Sequence, residues 1–552
     1  MKKMSKIVSV LLAVVMAAAS ASGCSSTPAE SSTSQPASES SASQTAEGES
    51  SSDAAVPSLS GKVTVEVFDR GVTGGSNVTN NFWTNWIAEN AKKDVGIDVE
   101  FVSVPRSEEI PKLNVLMASN AAPDISYTYT PSVVYNFYKN GGLADLEEPL
   151  KNYGQTLTEY LGDEVLSYGQ FGGQQVAIPA KRISLARLLT YIRKDWLDKL
   201  GMEMPTTKEE FHEALKAFKE KDPGGVGTDR VIPYESGSDV VNSMAPIFES
   251  FIDLSQDERT LAIYAMDDGD APLLLPGYKD GVRYMNTLYN DGLVDPQFPL
   301  YKDSVQTDAN MMAGLVGSTG TNYDGPMRSS PGVLTELQKE VPDAELVPID
   351  CFENPYMDNK YMKRVYNPAG LLMFVPASSQ NVDGAIAYLD WLCKDEVRNF
   401  LTCGEEGVHH TLDENGIPVM QAVEGDKIMN SPNNLDYALI VNGVDLGDQE
   451  KNIEVLSKSY EPQYVDLFMQ AYEMGITDGF DYPRLETPID AEAQYSANMK
   501  EKAKEILAKA ITAPADQFDA VYDAGIQEYL AAGAQQCIDE RAAAWDAAHP
   551  QG

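Results

Sequence analysis

Histidine and cysteine side chains most readily supply acid–base groups, nucleophiles or metal ligands, and this chain has few of them. Its 552 residues include four histidines and five cysteines. No two cysteines form a CxxC pair and only His409 and His410 are adjacent, so the ligand spacing of a zinc site is absent. Buried free thiols are the favoured interpretation of Cys351, Cys393, Cys403 and Cys537, with a Cys393–Cys403 disulfide as the alternative.

Carboxylates are abundant, with 83 Asp and Glu residues. A pair of them could serve glycosidase chemistry, which counting alone does not exclude. The sequence contains no nucleophile elbow, P-loop, HExxH motif or dinucleotide fingerprint. It therefore predicts no cofactor.

Alternating strands and helices are predicted where the folded part begins. Val63, Val65 and Val67 alternate with polar residues in a strand, and helices and strands then follow in turn up to a strand at 125–129. This order predicts a parallel sheet, and such sheets hold ligands at the carboxyl ends of their strands. The side chains at or near those ends are Arg70, Trp83, Tyr127 and Tyr129.

The length and charge of the chain limit its possible partners. Its 42 basic and 83 acidic residues give a net charge of −41, without an evident basic patch, which argues against nucleic-acid binding. A chain of this length predicts two to four domains.

Three lysines and an apolar run at the amino terminus predict a signal peptide over residues 1–23. Ala21, Ser22 and Gly23 precede Cys24 in a pattern that resembles a lipobox, which would make Cys24 the site of lipid attachment. The alternative is an ordinary secretory signal with Cys24 incidental. Residues 24–60 are rich in Ser and Ala and predict a disordered tether.

The segment 191–225 predicts two helices, the second with Thr206 as N-cap and Glu209 completing a capping box. Its sequence motif, RKDWLDKLG..PTT.EEF.E.LKAFK.KDP, resembles the signature of large oligosaccharide-binding lipoproteins. These are the extracellular solute-binding components of ABC importers. ASNAAPDI and GGLADLEEPL resemble other segments of that family.

The resemblance implies an α/β, two-lobed fold of the periplasmic-binding-protein-like type II class, with a helical carboxyl-terminal region. Lobe 1 would comprise 61–181 with about 368–420, and lobe 2 would comprise 182–367 with about 421–552. The chain would cross between the lobes near Pro179–Arg182, near Asn367–Gly370 and once more later.

The function implied is capture of a carbohydrate, expected to be an oligosaccharide, between the lobes and its delivery to the permease subunits of an ABC importer. The protein would be a monomer, anchored by lipid to the extracellular side of the cell membrane, and not an enzyme. The alternatives are a secreted carbohydrate-active enzyme and a component that presents ligand to a membrane sensor.

A sugar site needs aromatic planes and polar groups, because sugar rings have apolar faces and hydroxylated rims. The predicted ligand-binding residues are Trp83, Tyr127, Tyr129, Arg182, Tyr234, Asn322, Tyr323, Asp324 and Asn367. His409 and His410 lie where the family has a loop, which favours a packing or loop-fixing role. Relatives carry a calcium loop at 222–233, but here Gly224, Val226, Arg230 and Val231 replace ligand positions, so no metal is expected.

Overall fold

The structure is a computed structural model. It describes residues 59–550 except 72–75, 238, 267–270, 303, 329–331, 351 and 429–435. The predicted signal peptide, Cys24, almost all of the tether and Cys351 lie outside the described residues. Within the described part, none of the helices has the length and apolar character needed to span a bilayer.

The described strands are β1 (Gly61–Asp69), β2 (Ile97–Pro105), β3 (Ser126–Thr128), β4 (Gln170–Phe171), β5 (Gln174–Gln175), β6 (Ile178–Arg182), β7 (Leu188–Arg193), β8 (Ile232–Glu235), β9 (Val316–Asn322), β10 (Leu346–Ile349), β11 (Lys363–Arg364), β12 (Ala369–Phe374), β13 (His410–Leu412), β14 (Pro418–Met420), β15 (Val441–Asn442) and β16 (Gly479–Phe480).

The described helices are α1 (Phe82–Val95), α2 (Glu109–Ala118), α3 (Pro131–Lys139), α4 (Glu147–Tyr153), α5 (Gln155–Ser167), α6 (Lys194–Leu200), α7 (Lys208–Lys221), α8 (Val240–Glu249), α9 (Glu258–Tyr264), α10 (Tyr278–Asn290), α11 (Val305–Met312), α12 (Val333–Glu340), α13 (Val382–Leu392), α14 (Asp395–Cys403), α15 (Gln449–Ser457), α16 (Val465–Ile476), α17 (Asp490–Thr512), α18 (Phe518–Tyr529) and α19 (Gln535–Ala548).

Two sheets organise the fold. In the first, β1 pairs with β2 in parallel, a parallel bridge between Val65 and Ile125 joins β1 to the start of β3, and the order continues β3-β12-β6-β15. β12 runs antiparallel to both β3 and β6. The second sheet has the order β10-β7-β9-β8, in which β7 runs opposite to its neighbours. The parallel start predicted from the sequence is confirmed, and β12 makes the first sheet mixed.

The hydrophobic core has two large parts. One contains Val65 with its neighbours on β1, and also Trp391. The other contains Trp196, Phe218 and the apolar faces of α10 and α17. Trp196 and Trp391 are both completely buried, as the sequence predicts. The lobe boundaries given above stay a prediction.

The start of α7 differs from the prediction by one residue. The N-cap is Thr207, whose hydroxyl accepts the Glu210 backbone N–H at 3.2 Å, while the Glu210 carboxylate accepts the Thr207 N–H at 3.2 Å. Thr206 and Glu209, the predicted pair, have the same spacing. Both threonines bond to Glu210, but only Thr207 takes the capping position.

The carboxyl-terminal region is helical, as expected. α17 packs along α10, and the Asn286 amide donates to Ala510 O at 3.0 Å and Ile511 O at 2.9 Å. A buried amide with several carbonyl partners fixes the register of the two helices.

The chain passes between the two sheets at 183–187, at 365–368 and again after α16. These passages are joined to one another by backbone hydrogen bonds, which are Arg182 N–H to Pro368 O at 2.8 Å, Tyr366 N–H to Leu185 O at 2.9 Å and Val365 N–H to Phe480 O at 2.9 Å. The three passages therefore form a continuous hydrogen-bonded ribbon.

Candidate functional site

Arg182 lies where the two sheets meet. It is the last residue of β6, and the passage 183–187 leads from it to β7 in the second sheet. Its guanidinium lies 4.2 Å from the centre of the Tyr366 ring, and both residues are half-buried. Burial lowers the pKa of Arg182, although the surrounding Tyr366, Tyr129 and Asp481 favour its charge.

The second sheet contributes Arg187, just before β7. Its guanidinium lies 5.9 Å from the same Tyr366 ring, bonds to Glu249 at 3.2 Å and donates to the Asn242 side-chain oxygen at 3.2 Å. The Asn242 amide in turn donates to Asp239 at 2.8 Å. Asp239 and Asn242 lie at the start of α8, and Glu249 is its last residue.

The first sheet contributes Arg70 and Tyr129. Arg70 forms a bidentate pair with Asp436, at 2.6 and 2.8 Å. Burial alone would lower the pKa of Arg70, but the hydrogen bonds and charge of Asp436 raise it overall. Burial and Asp436 raise the pKa of Tyr129, which also hydrogen-bonds with Arg70.

We refer to Arg70, Tyr129, Arg182, Arg187 and Tyr366 as the Arg–Tyr cluster. Tyr129 and Arg187 both act electrostatically on Arg182, so the cluster extends from the first sheet to the second. Arginine forks and tyrosine rings together supply hydrogen-bond donors and flat apolar faces. The arrangement can bind a polar ring-shaped molecule without any covalent chemistry.

Three of the other predicted residues have buried side chains whose polar atoms already have partners. The Trp83 indole donates to Lys427 O at 3.1 Å, the Tyr127 hydroxyl accepts the Phe68 N–H at 3.1 Å, and the Tyr234 hydroxyl donates to Ser243 O at 2.8 Å. Each is at most 1% exposed. Burial raises the pKa of Tyr127 well above its usual value. Their contact with ligand stays a prediction, and the structure places them in the core.

Tyr323 and Asp324 are also buried, at the end of β9. The Tyr323 hydroxyl accepts a hydrogen bond from Ser184 at 2.9 Å, and Asp324 pairs with Arg328 and accepts from the Tyr460 hydroxyl at 2.6 Å. These contacts fasten the passage 183–187 and the segment before α16 to the second sheet.

Asn322 and Asn367 are half-buried and lie near the cluster. Asn322 pairs with Leu188 in the sheet and precedes Tyr323, whose N–H donates to Arg187 O at 2.9 Å. Asn367 follows Tyr366, and its side-chain oxygen accepts the Ala369 N–H at 3.1 Å. The structure therefore places Tyr129, Arg182 and Asn367 at the cluster and Asn322 beside Arg187 in the sheet, whereas Trp83, Tyr127 and Tyr234 are enclosed in the core.

Sequence analysis missed Tyr366, Arg187 and Asn242. Tyr366 adjoins the predicted Asn367, and that adjacency was the one available signal for it. Arg187 enters a strand whose every residue is buried, and Asn242 lies in the first turn of a largely apolar helix, so both look like structural positions in the sequence.

His409 and His410 fix a loop, as predicted. His409 packs against Trp83 with ring centres 4.8 Å apart and accepts the Glu405 N–H at 3.0 Å, and His410 bonds with Cys403 O at 3.0 Å. Cys393 and Cys403 are free and buried, so the disulfide alternative is wrong. Burial raises the pKa of the Cys403 thiol to about 11.

The loop at 222–233 uses its first carboxylate to close its own turn. Asp222 accepts the N–H groups of Val226 at 2.9 Å and Gly227 at 2.7 Å, and so closes the turn itself. Among the described residues, no group of three or more His, Cys, Asp and Glu could hold a metal ion. The expected lack of calcium binding stays a prediction.

The family model described as bacterial extracellular solute-binding protein matches residues 75–399. The chain belongs to this family. The solute-binding protein is 26% identical over 344 residues to lipoprotein LipO of Bacillus subtilis, a match that covers 58% of this chain and 63% of LipO, less than two thirds of that relative.

The solute-binding protein is also 23% identical over 472 residues to the polygalacturonan/rhamnogalacturonan-binding protein YtcQ of Bacillus subtilis, covering 81% of this chain and 86% of YtcQ. Among solved structures, an HMO-binding ABC-transporter-associated solute-binding protein from Bifidobacterium longum infantis superposes with a TM-score of 0.63 at 16% identity, covering 88% of this chain and 99% of that one. Such structures share its fold, which confirms the two-lobed α/β fold expected from the sequence.

Proposed function

We propose that this solute-binding protein captures an oligosaccharide in a cleft between its two lobes and delivers it, unchanged, to an ABC importer. The Arg–Tyr cluster carries the proposal, because it joins aromatic faces to hydrogen-bond donors at the edges of both sheets. The relatives support it, since YtcQ is named for binding polysaccharides and the Bifidobacterium protein for its association with an ABC transporter.

Binding without turnover is the testable core of this function. The full chain, purified in detergent, would be mixed with a panel of acidic and neutral oligosaccharides, followed by thermal unfolding and chromatography of the sugars. A saturable rise in Tm with every sugar recovered intact supports the function, because ligand that binds only the native state stabilises it by mass action. Sugar released from a larger glycan would instead support the secreted carbohydrate-active enzyme.

We also propose that lipid on Cys24 anchors the protein to the extracellular side of the cell membrane as a monomer. LipO, a relative, is named a lipoprotein. Cys24→Ser should abolish incorporation of labelled fatty acid and release the protein into the medium. Fatty acid still incorporated into this variant would contradict the assignment of Cys24.

Delivery to permease subunits distinguishes transport from sensing. Loss of the gene should abolish uptake of the labelled ligand by the cells if the protein serves an importer. Unchanged uptake together with a lost transcriptional response would favour the sensor component.

A further inference from the structure

Across the residues that the structure describes, Arg182 differs from the neighbouring arginines in forming no salt bridge with a carboxylate, and Asp481 favours its charge only from a distance. Among the described residues, none of its side-chain N–H groups has a hydrogen-bond acceptor, and its buried Nε is without one. In the described part of the chain, its guanidinium lies against the face of Tyr366, 4.2 Å from the ring centre.

Every arginine near it is matched to a carboxylate. The pairs are Arg70 with Asp436, Arg106 with Glu109, Arg187 with Glu249 and Arg364 with Asp481. In a chain of net charge −41, carboxylates are plentiful. An arginine left without one at the meeting point of the sheets is therefore an unusual feature of this protein.

A guanidinium without a salt bridge in a half-buried place is unfavourable because the loss of water around its charge outweighs the support from Asp481 and the tyrosines. A sugar hydroxyl could accept a hydrogen bond from it but would leave the charge unmatched. A carboxylate accepts two parallel hydrogen bonds from the guanidinium fork and neutralises the charge at the same time. Nearby Arg187 adds repulsion that a ligand anion would also relieve.

We propose that the ligand carries a carboxylate, as a uronic-acid residue does, and that this group binds the guanidinium of Arg182 beside the ring of Tyr366. The inference rests on the proposed function and deepens it by naming the class of sugar. The aromatic face of Tyr366 would hold the guanidinium plane in place before the ligand arrives.

The experiment compares acidic oligosaccharides with their own carboxyl-reduced forms, so that each pair differs in charge and not in linkage. Calorimetry on the full chain would use oligogalacturonides, oligoalginates and glucuronate-bearing oligoxylosides. For the acidic sugar that binds, reduction of the carboxylates should weaken binding about 10- to 100-fold, the usual range for a lost charge-assisted hydrogen-bonded pair.

Variants locate the effect at one residue. Arg182→Gln should weaken binding of the acidic sugar by the same factor and binding of its reduced form much less, and Arg182→Lys should retain part of the preference. Arg259→Gln is the matched control. Arg259 forms an exposed salt bridge with Asp546 on α19 at 2.7 Å, so this variant should leave binding unchanged. Far-ultraviolet circular dichroism checks that each variant is folded.

The outcomes separate the two proposals. Equal binding of both members of a pair, binding confined to neutral or sulfated sugars, or an Arg182→Gln variant that retains the preference for the acid would overturn the carboxylate assignment while sugar binding stands. Failure of every sugar to bind would contradict the proposed function itself, and the carboxylate assignment with it.

Discussion

Two arginines end successive strands, Arg182 at the end of β6 and Arg193 at the end of β7, and their surroundings differ. Arg193 ends the strand over Trp196, with its guanidinium 4.7 Å from the ring, and is 1% exposed. Asp195 accepts two hydrogen bonds from it, at 2.7 and 2.9 Å. Arg182 lies 4.2 Å from the centre of the Tyr366 ring and, among the described residues, forms no salt bridge with a carboxylate.

The difference separates a structural cation from one available to a ligand. Asp195 neutralises the charge of Arg193 and accepts hydrogen bonds from its Nε and Nη2, and Trp196 covers its face, while its buried Nη1 has no acceptor among the described residues. In the part of the chain that the structure describes, Arg182 has the aromatic contact with Tyr366 but no matching salt bridge. Stability alone would favour a partner at both ends, so the unmatched end points to binding.

The largest expected effect comes from removing the carboxylate that pairs with Arg193. Asp195→Asn should reduce the free energy of unfolding by about 3–5 kcal/mol, because it leaves the buried Arg193 charge without compensation. Urea denaturation measures this change. Asp198→Asn, on the same helix, removes an exposed pair with Lys194 and should change stability little. Similar losses in both variants would contradict the structural role given to Arg193.

A pH-dependent effect is expected from Glu235, a buried acid on β8 of the same sheet. Burial raises its pKa to about 8, although a hydrogen bond from Asn310 opposes the shift. The native state then holds a proton that the unfolded chain has lost, so Glu235 should reduce the stability of the wild type by about 1.4 kcal/mol per pH unit as the pH rises from about 4.5 to 8.

Glu235→Gln should remove this loss, and the difference in unfolding free energy between variant and wild type should grow over that pH range. Burial also raises the pKa of Glu66 to about 8, so a residual pH dependence should remain in the variant. Parallel stability curves for the two proteins would show that Glu235 is ionised in the native state.

At the unmatched end the expected change has the opposite sign. Arg182→Met should raise the free energy of unfolding of the ligand-free protein by about 1 kcal/mol, because an apolar chain of similar length replaces an uncompensated charge. Thermal unfolding without and with the acidic sugar measures both consequences: a higher Tm alone and a smaller shift with ligand. A lower Tm without ligand would mean that Arg182 stabilises the fold.

The smallest effect calibrates the other three. Thr207→Ala should destabilise the protein by about 1 kcal/mol through loss of the α7 cap. Thr206→Ala removes only a hydrogen bond to Glu210 and should do less. A larger loss of stability in Thr206→Ala than in Thr207→Ala would instead support Thr206 as the N-cap, as predicted from the sequence.

The sequence predicted elements wherever local patterns were strong. The predicted strand in which Val63, Val65 and Val67 alternate with polar residues is β1, and all three valines are completely buried. The cap of α7 was displaced because Thr206-Thr207 and Glu209-Glu210 offer the same spacing twice, and only the path of the chain decides between them.

The site was harder to predict because the direction of a side chain depends on partners distant in the sequence. Tyr127 and Tyr129 lie on either side of Thr128, the last residue of β3. Tyr127 packs against Phe68 in the core, whereas Tyr129 interacts with Arg70. Arg182 was predicted from its place beside a crossing. That it lacks a carboxylate depends on where Asp436, Glu249 and Asp481 lie, which no local pattern reveals.

The hydrogen-bonded ribbon of the three passages has a mechanical consequence for Arg182. A ribbon bends readily about one axis and resists torsion. The three passages would therefore act as a hinge between the lobes, with Arg182 close to the hinge axis. Residues near a hinge axis move little when the lobes open or close. We therefore expect Arg182 to hold the same pose in open and closed forms, so that it can orient an arriving ligand before the far edges of the lobes approach each other.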